Sequence, residues 1–149
     1  MISQTNEYAL RAALWLGSHG NKAQTTEQIA KGTQVPAGYL SKVLQTLVRA
    51  GLVSSQRGLG GGYILARPPA EITALDIVNA VDPIKRTESC PLEIKEHGKR
   101  LCPLHYRIHA ATALIEDSFR SCTIADLSEP GSMTSPFCKD HSDGIEGED

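Results

Sequence analysis

No run of about 18 apolar residues occurs in the chain, and its N-terminus lacks a basic stretch leading into an apolar segment, so neither a membrane span nor a secretory leader is expected. A cytoplasmic protein with no membrane partner is the resulting expectation. Cysteine is missing from the first half, and the four present, Cys90, Cys102, Cys122 and Cys138, all lie in the second. In a reducing compartment such thiols suit metal binding, redox chemistry or packing better than a disulfide framework. There is no Ser–His–Asp set, no paired-carboxylate motif and no nucleotide fingerprint, which argues against an enzyme. Acid is scarce early. Residues 1–70 hold Glu7 and Glu27 against seven lysines and arginines, a net of +5 that leaves −7 for the rest of a chain whose total is −2. A positive half suits a polyanion, because neutralising phosphates releases counterions. Taken alone, a charged face is more often simply solvated.

The 149 residues fit one compact domain with an extension. Ala9, Ala12, Ala13 and Leu16 recur at i, i+3, i+4, i+7 and predict an amphipathic helix over 3–19. Thr25 and Gln28 have the spacing of a capping box, in which each side chain satisfies a free amide of the first turn, and a short helix should run on to about Gly32. Pro36 suits a helix start, and Leu40, Val43, Leu44, Leu47 and Val48 carry an apolar stripe until Gly51 closes it. Two short helices joined by a tight glycine-containing turn make a helix-turn-helix. Off the stripe lie Tyr39, Ser41, Lys42, Gln45, Thr46 and Arg49, hydroxyl, amide and cationic groups able to bond base edges and phosphates in a major groove. For this helix by itself a solvated face is the simpler reading.

The stretch SSQRGLGGGYILARPP, Ser54–Pro69, then places Gly58, Gly60, Gly61 and Gly62 between two strand-like runs, LVSSQ and GYILA. A hairpin after a helix-turn-helix is a winged helix, so the expected fold is mainly α with a small β-hairpin wing. Glycine supplies positive φ at a hairpin tip and lets a backbone approach another surface closely. Beside Arg57, the bare tip at Gly60 and Gly61 could track a minor groove or a run of phosphates. A ligand-free glycine hairpin explains the turn but neither the adjoining cation nor the helix before it. A phosphate-cradling nucleotide loop is set aside, since these glycines neither match GxxxxGKS or GxxxxGKT nor open a helix.

Further along, Thr73 and Asp76 frame another capped helix bearing Leu75, Ile77, Val78 and Val81. Leu104, Ile108, Ala111, Ile115, Phe119 and Cys122 come next at steps of three or four, a seam that a basic winged domain of about 80 residues has too little surface to bury. The alternative is that the seam covers its own domain's core. From about Leu127 the chain offers Gly, Ser, Pro and, counting Asp126, seven acids against Lys139, the composition of a disordered tail. Cys138 and His141 in that tail have a metal-like spacing that such segments often carry by chance.

The stretches EYALRAALWL, TTEQIAKGTQVPAGYLSKVLQTLVRAGLVSSQRGLGGGYILARPPAEITALDIVNAVD and the downstream cysteine loop together resemble the bacterial regulators that include IscR, NsrR, RirA and CymR, the Rrf-two type. The likeness is co-linear over roughly residues 2–125, and the block from Tyr39 to Pro69 is its most specific part. The resemblance implies a homodimeric winged-helix transcription regulator of double-stranded DNA, with a roughly palindromic operator. The helix Pro36–Ala50 would read DNA, Arg57–Tyr63 would form the wing, and residues 104–126 would be the long dimerisation helix. The corresponding organisation is a winged domain over 1–83, a sensor loop over 84–103, the dimerisation helix, and an acidic tail over 127–149. Trp15, the sole tryptophan, is read as packing near the first helix's interface, and Cys122 as a small apolar residue on the seam.

The loop CPLEIKEHGKRLCPLH holds Cys90, His97, Cys102 and His105, thiols and imidazoles suited to iron–sulfur clusters or zinc. Cluster-binding members of the family commonly place three cysteines here at spacings of six and six. In this chain the outer two match Cys90 and Cys102, whereas the middle position is Glu96. The resemblance also offers a carboxylate of the first helix as a ligand from the other subunit, and Glu7 stands there. The favoured set is therefore Cys90 and Cys102 with Glu7 and one of His97 or His105, holding a [2Fe–2S] cluster. A Cys2His2 zinc site of Cys90, His97, Cys102 and His105 is the rival, and a metal-free thiol switch, its thiols made acidic by nearby cations, is the third possibility. From a different class comes a small redox or metal protein that uses its winged fold for protein interaction.

Overall fold

The structure, a computed structural model, describes residues 2–91 and 100–128. Helix α1, Gln4–Ser18, starts where the Ser3 hydroxyl accepts the Asn6 amide at 3.2 Å. Its stripe of Ala9, Ala12, Ala13 and Leu16 is buried as the periodicity requires, and α1 packs on the other helices of the winged domain and on its hairpin. Helix α2, Thr26–Thr33, opens with both bonds of the capping box: the Thr25 amide donates to Gln28 Oε1 at 2.9 Å and the Gln28 amide to Thr25 Oγ1 at 3.2 Å. The helix runs past Gly32, and it is Gln34, at φ +58°, that turns left-handed. Gly32 has a packing reason instead, because a Cβ there would collide with the Trp15 ring.

Helix α3, Ala37–Arg49, has Pro36 as its N-cap residue and ends in a Schellman motif. There the Leu52 amide donates to Leu47 O and the Gly51 amide to Val48 O, both at 3.0 Å, with Gly51 at φ +74°. Leu40, Val43, Leu44 and Leu47 are buried against α1 and α2. The chain then forms an antiparallel hairpin of β1, Val53–Gln56, and β2, Gly62–Leu65, in the register Val53 to Leu65 and Gln56 to Gly62. Backbone bonds between Tyr63 and Gln24 tie its inner strand to the start of α2. A single 3-10 turn, Pro69–Glu71, leads to α4, Ala74–Val81, which opens with the expected Thr73–Asp76 capping box.

Beyond residue 100 the structure departs from the expected single helix over 104–126. Helix α5 covers Pro103–Arg120, and after a turn α6 covers Ile124–Ser128. The break has a cause in the backbone and in the core. Ala74 donates to Cys122 O and Ile124 to Ile72 O, each at 2.8 Å, and the Ile124 side chain is fully buried in the winged domain's core. Thr123 and Asp126 make a third capping pair at that point, with Asp126 Oδ2 accepting the Thr123 amide at 2.8 Å. Cys122 therefore lies past the end of α5 rather than on its seam.

Candidate nucleic-acid interface and cysteine loop

The buried stripe of α3 fixes what its other side offers. Lys42, Gln45 and Arg49 point away from the core and are exposed. Lys42, Arg49, Arg57 and Arg67 enter no ion pair with any described residue, whereas Arg11, Arg86 and Arg120 do. Ser41 and Thr46 turn their hydroxyls back to Ala37 O and Lys42 O. Gln45, Val48 and Arg49 of α3 and Ser55 and Tyr63 of the hairpin border one hollow of about 240 Å³, so helix and wing present a shared surface.

At the first turn of α3, Tyr39 is 43% exposed but tied down. Its hydroxyl lies 2.6 Å from Thr5 Oγ1, and its ring meets that of Tyr8 edge-on at 5.4 Å. The beginning of α1 thus holds the beginning of α3.

The hairpin's glycines divide by cause. Gly58 and Gly60 sit at φ +96° and +73° with nothing near a would-be Cβ, a purely conformational requirement. Gly61 and Gly62 are crowded: a Cβ on Gly61 would press on Gln56 O, and one on Gly62 on the Gln24 backbone. The bareness of these two is demanded inside the protein, before any ligand is considered. Leu59 at the tip is fully exposed, and no periodicity in the sequence singles it out.

Helix α5 has no buried residue in 18. Of the seam, Leu104 and Ile108 are 64% and 44% exposed and Ala111 is exposed too, whereas Ile115 and Phe119 are half-buried, so it is the first part of the seam that lies open along the described chain, with Leu114, 71% exposed, to one side of it. The adjoining face carries His105, His109, Thr112 and Glu116. It holds the segment after α4: Arg86 Nε donates to Glu116 Oε2 at 2.8 Å, and His109 Nδ1 lies 3.1 Å from Thr87 O. Arg86 keeps the Glu116 carboxyl below the usual carboxylate range, mainly through that hydrogen bond. These ties join residues 22 and 30 positions apart, and no local spacing announces them.

Cys102 is the N-cap residue of α5, and its Sγ lies 3.1 Å from His105 Nδ1. Cys90 is half-buried at the other end of the loop. Among the described residues no three His, Cys, Asp or Glu side chains converge on a point that could hold a metal ion, so neither Cys90 nor Glu7 joins that pair within one chain. Glu7 instead pairs with Arg11 on the exposed side of α1. Glu96, His97, Cys138, His141 and the acidic tail beyond Ser128 lie outside the described residues. The donor set for a cluster or a zinc ion is thus incomplete in the described chain. Burial pushes the Cys122 thiol up, which favours its protonated form. Trp15 packs on Gly32, stacks with His19 at 4.3 Å and donates from Nε1 to Gln24 Oε1 at 3.2 Å.

Comparison with known proteins agrees with this arrangement. The Rrf2 family profile, described as Iron-dependent Transcriptional regulator, matches residues 2–130. The HTH-type transcriptional regulator CymR of Bacillus subtilis is 36% identical over 128 residues, covering 85% of this chain and 88% of that protein. The regulator NsrR of Geobacillus kaustophilus is 29% identical over 134 residues, covering 86% and 89%. Among solved structures, IscR of T. potens superimposes with a TM-score of 0.72 at 26% identity, covering 91% of this chain and 93% of that one. No helix among the described residues is long and apolar enough to cross a membrane. The winged helix-turn-helix, the co-linear match from its first helix to its last, and relatives that are regulators rather than enzymes place this chain in the Rrf2 family of transcription regulators.

Proposed function

We propose that the protein is a cytoplasmic, homodimeric regulator that binds double-stranded DNA through α3 and the hairpin, and that the cysteine loop at the foot of α5 reports iron, nitric oxide or redox state to it. The observation that carries the DNA reading is the row of exposed Lys42, Gln45 and Arg49, in no ion pair among the described residues, beside a hairpin whose tip begins at Arg57. Lys42, Arg49 and Arg57 suit phosphates, Gln45 suits a base edge, and Tyr39 and Ser41 lie at the end of α3 nearest an entering strand. Gly60 and Gly61 keep the tip slim enough to lie on a groove. The dimer reading is supported by the exposed Leu104, Ile108 and Ala111 on the seam of α5. Pairing two such helices would present two copies of α3 to a palindromic operator.

For the loop, the family's iron dependence favours a [2Fe–2S] cluster held by Cys90 and Cys102, completed by Glu7 of the other subunit and His97 or His105. Zinc on the same loop is the rival metal. The closeness of Cys102 to His105 at the start of a helix favours a second reading, a metal-free thiol switch, because an imidazole and a helix N-terminus both stabilise a thiolate.

Fluorescence anisotropy with duplex DNA from upstream of the protein's own coding sequence tests the interface. Lys42→Ala and Arg49→Ala should each weaken binding and lower the salt slope by about 1. Unchanged affinity and slope in both would remove α3 as the DNA contact. Iron and sulfide analysis of anaerobically prepared protein decides the cofactor, with about two of each per chain expected for a [2Fe–2S] site. One tightly bound zinc would favour the zinc reading, and metal-free protein with oxidation-dependent DNA affinity the thiol switch.

A further inference from the structure

The turn at Ser121–Thr123 changes where the acidic segment begins. Had α5 continued to residue 126, residues 129–149 would leave from the far end of the seam. Instead α6 is anchored by Ile124 in the winged domain, and the described chain ends at Ser128 beside the hairpin's base. A Cβ on Gly17 would lie 3.5 Å from Ser128 Oγ and 3.6 Å from Leu65 Cδ1. Gly17 and Leu65 both line a groove of about 440 Å³, the next walls of which are Leu16, Ile64, Pro68 and Pro69. Its one charged lining residue is Arg67, and no acid among the described residues lines it.

The segment beyond Ser128 matches that groove in both chemistry and order. After Glu129, the apolar Met133, Pro136 and Phe137 come first, then Asp140, Asp143, Glu146, Glu148 and Asp149, with Lys139 the sole lysine or arginine of residues 129–149. The net charge of that stretch, six acids against one lysine, is −5, opposite and equal to the +5 of residues 1–70. At about 3.3 Å per residue the 12 residues from Phe137 to Asp149 span up to about 40 Å, enough for the later carboxylates to cross a small domain's face from the groove.

We infer that residues 129–149 dock on their own winged domain, with Met133 and Phe137 in the groove at the base of the hairpin and the later carboxylates on Arg67, Arg57 and the cationic face of α3, where they compete with DNA phosphates. The inference rests on the DNA reading proposed above. A tethered segment acts at an effective concentration on the order of 1 mM, so even an intrinsic Kd on the order of 0.1 mM keeps the face about nine-tenths covered and weakens DNA binding about tenfold.

Three variants test this: the chain truncated after Ser128, the full chain with its six tail carboxylates changed to amides, and the full chain with Met133→Ser and Phe137→Ser. Binding of a random-sequence duplex at low salt should strengthen about tenfold in the first two and by a smaller factor in the third. Independently of DNA, a labelled 129–149 peptide should bind the truncated protein in fluorescence anisotropy and be released by salt and by Arg67→Ala. Equal duplex affinity in the parent, truncated and amide forms would overturn the inference, as would a peptide that does not bind. Full strengthening in the amide form with none in the Met133 and Phe137 variant would overturn the docking and leave only long-range repulsion. If neither parent nor truncated protein binds any duplex while the peptide still binds, the DNA reading fails and the docking stands.

Discussion

Leu44 and Leu114 are the same side chain on two amphipathic helices of one chain, yet the first is 0% exposed and the second 71%. Helix α3 finds its covering surface within about 40 residues on either side, on α1, α2 and β1. Among the described residues helix α5 packs on α4 and is tied to Arg86 and Thr87, and Leu104, Ile108 and Ala111 of its seam are left exposed. A domain of this size closes one core and then runs out of surface with which to cover a further long stripe. The contrast separates two surfaces: the stripe of α3 is closed within the chain, and the first turns of α5 keep apolar side chains exposed.

The contrast can be broken most strongly at the seam. Ile108→Glu places an unpaired charge where a second α5 would pack, and should raise the dimer dissociation constant on the order of a thousandfold, since such a charge costs about 4 kcal/mol when buried. Sedimentation velocity checks this, and the winged domain's thermal unfolding should stay unchanged. A wild-type protein that is monomeric at micromolar concentration would remove the basis for the prediction. Next in size is the reverse experiment. Leu44→Ala should cost about 3 kcal/mol of unfolding free energy in urea, through lost transfer energy and a cavity, whereas Leu114→Ala should cost the isolated chain almost nothing.

The hairpin sharpens the same point on a smaller scale. Gly62→Ala should cost about 2 kcal/mol and loosen the Gln24–Tyr63 bridge, because both its φ of +141° and the Gln24 backbone exclude a side chain. Gly60→Ala meets only the backbone penalty of about 1 kcal/mol, with its surroundings open. Equal costs at the two sites would show that packing against α2 does not fix the wing.

The smallest effect expected is on the arm after α4. Glu116 has its carboxyl lowered by Arg86, so the pair stabilises the arm above the ordinary carboxylate range and loses that contribution as pH falls through the lowered value. Amide exchange over residues 84–90, corrected for intrinsic rate, should quicken below about pH 4, the usual range for a glutamate. Arg86→Gln should abolish the pH dependence; its persistence would exclude this pair as the tie.

How much could be read in advance obeys the same division. The capping residues Thr25 and Gln28, Thr73 and Asp76, the stripe of α3 and its stop at Gly51 are local signals, and each appears where its spacing places it. Thr123 and Asp126 repeat the pattern of Thr73 and Asp76, a signal for the start of α6 that the apolar periodicity running through Cys122 masks. Gly32 looks like a turn residue because its reason, the Trp15 ring, lies on another helix. The same holds for Arg86, His109 and Glu116, whose ties depend on how the arm after α4 returns along α5. In the candidate site, the polar face of α3 is legible because it is what the stripe leaves over. Which groups gather around Cys90 is not, since that depends on long-range geometry.

The coupling of the two regions is open to one direct measurement: the affinity of anaerobically prepared protein for its own upstream duplex, compared with that of Cys90→Ala and Cys102→Ala proteins under identical salt. We expect two chains per duplex throughout, with the two variants matching each other and differing from the wild type by about tenfold or more, the size of a coupling free energy of about 1–3 kcal/mol. Identical affinities in all three proteins would contradict the claim that the loop at the foot of α5 governs what α3 does.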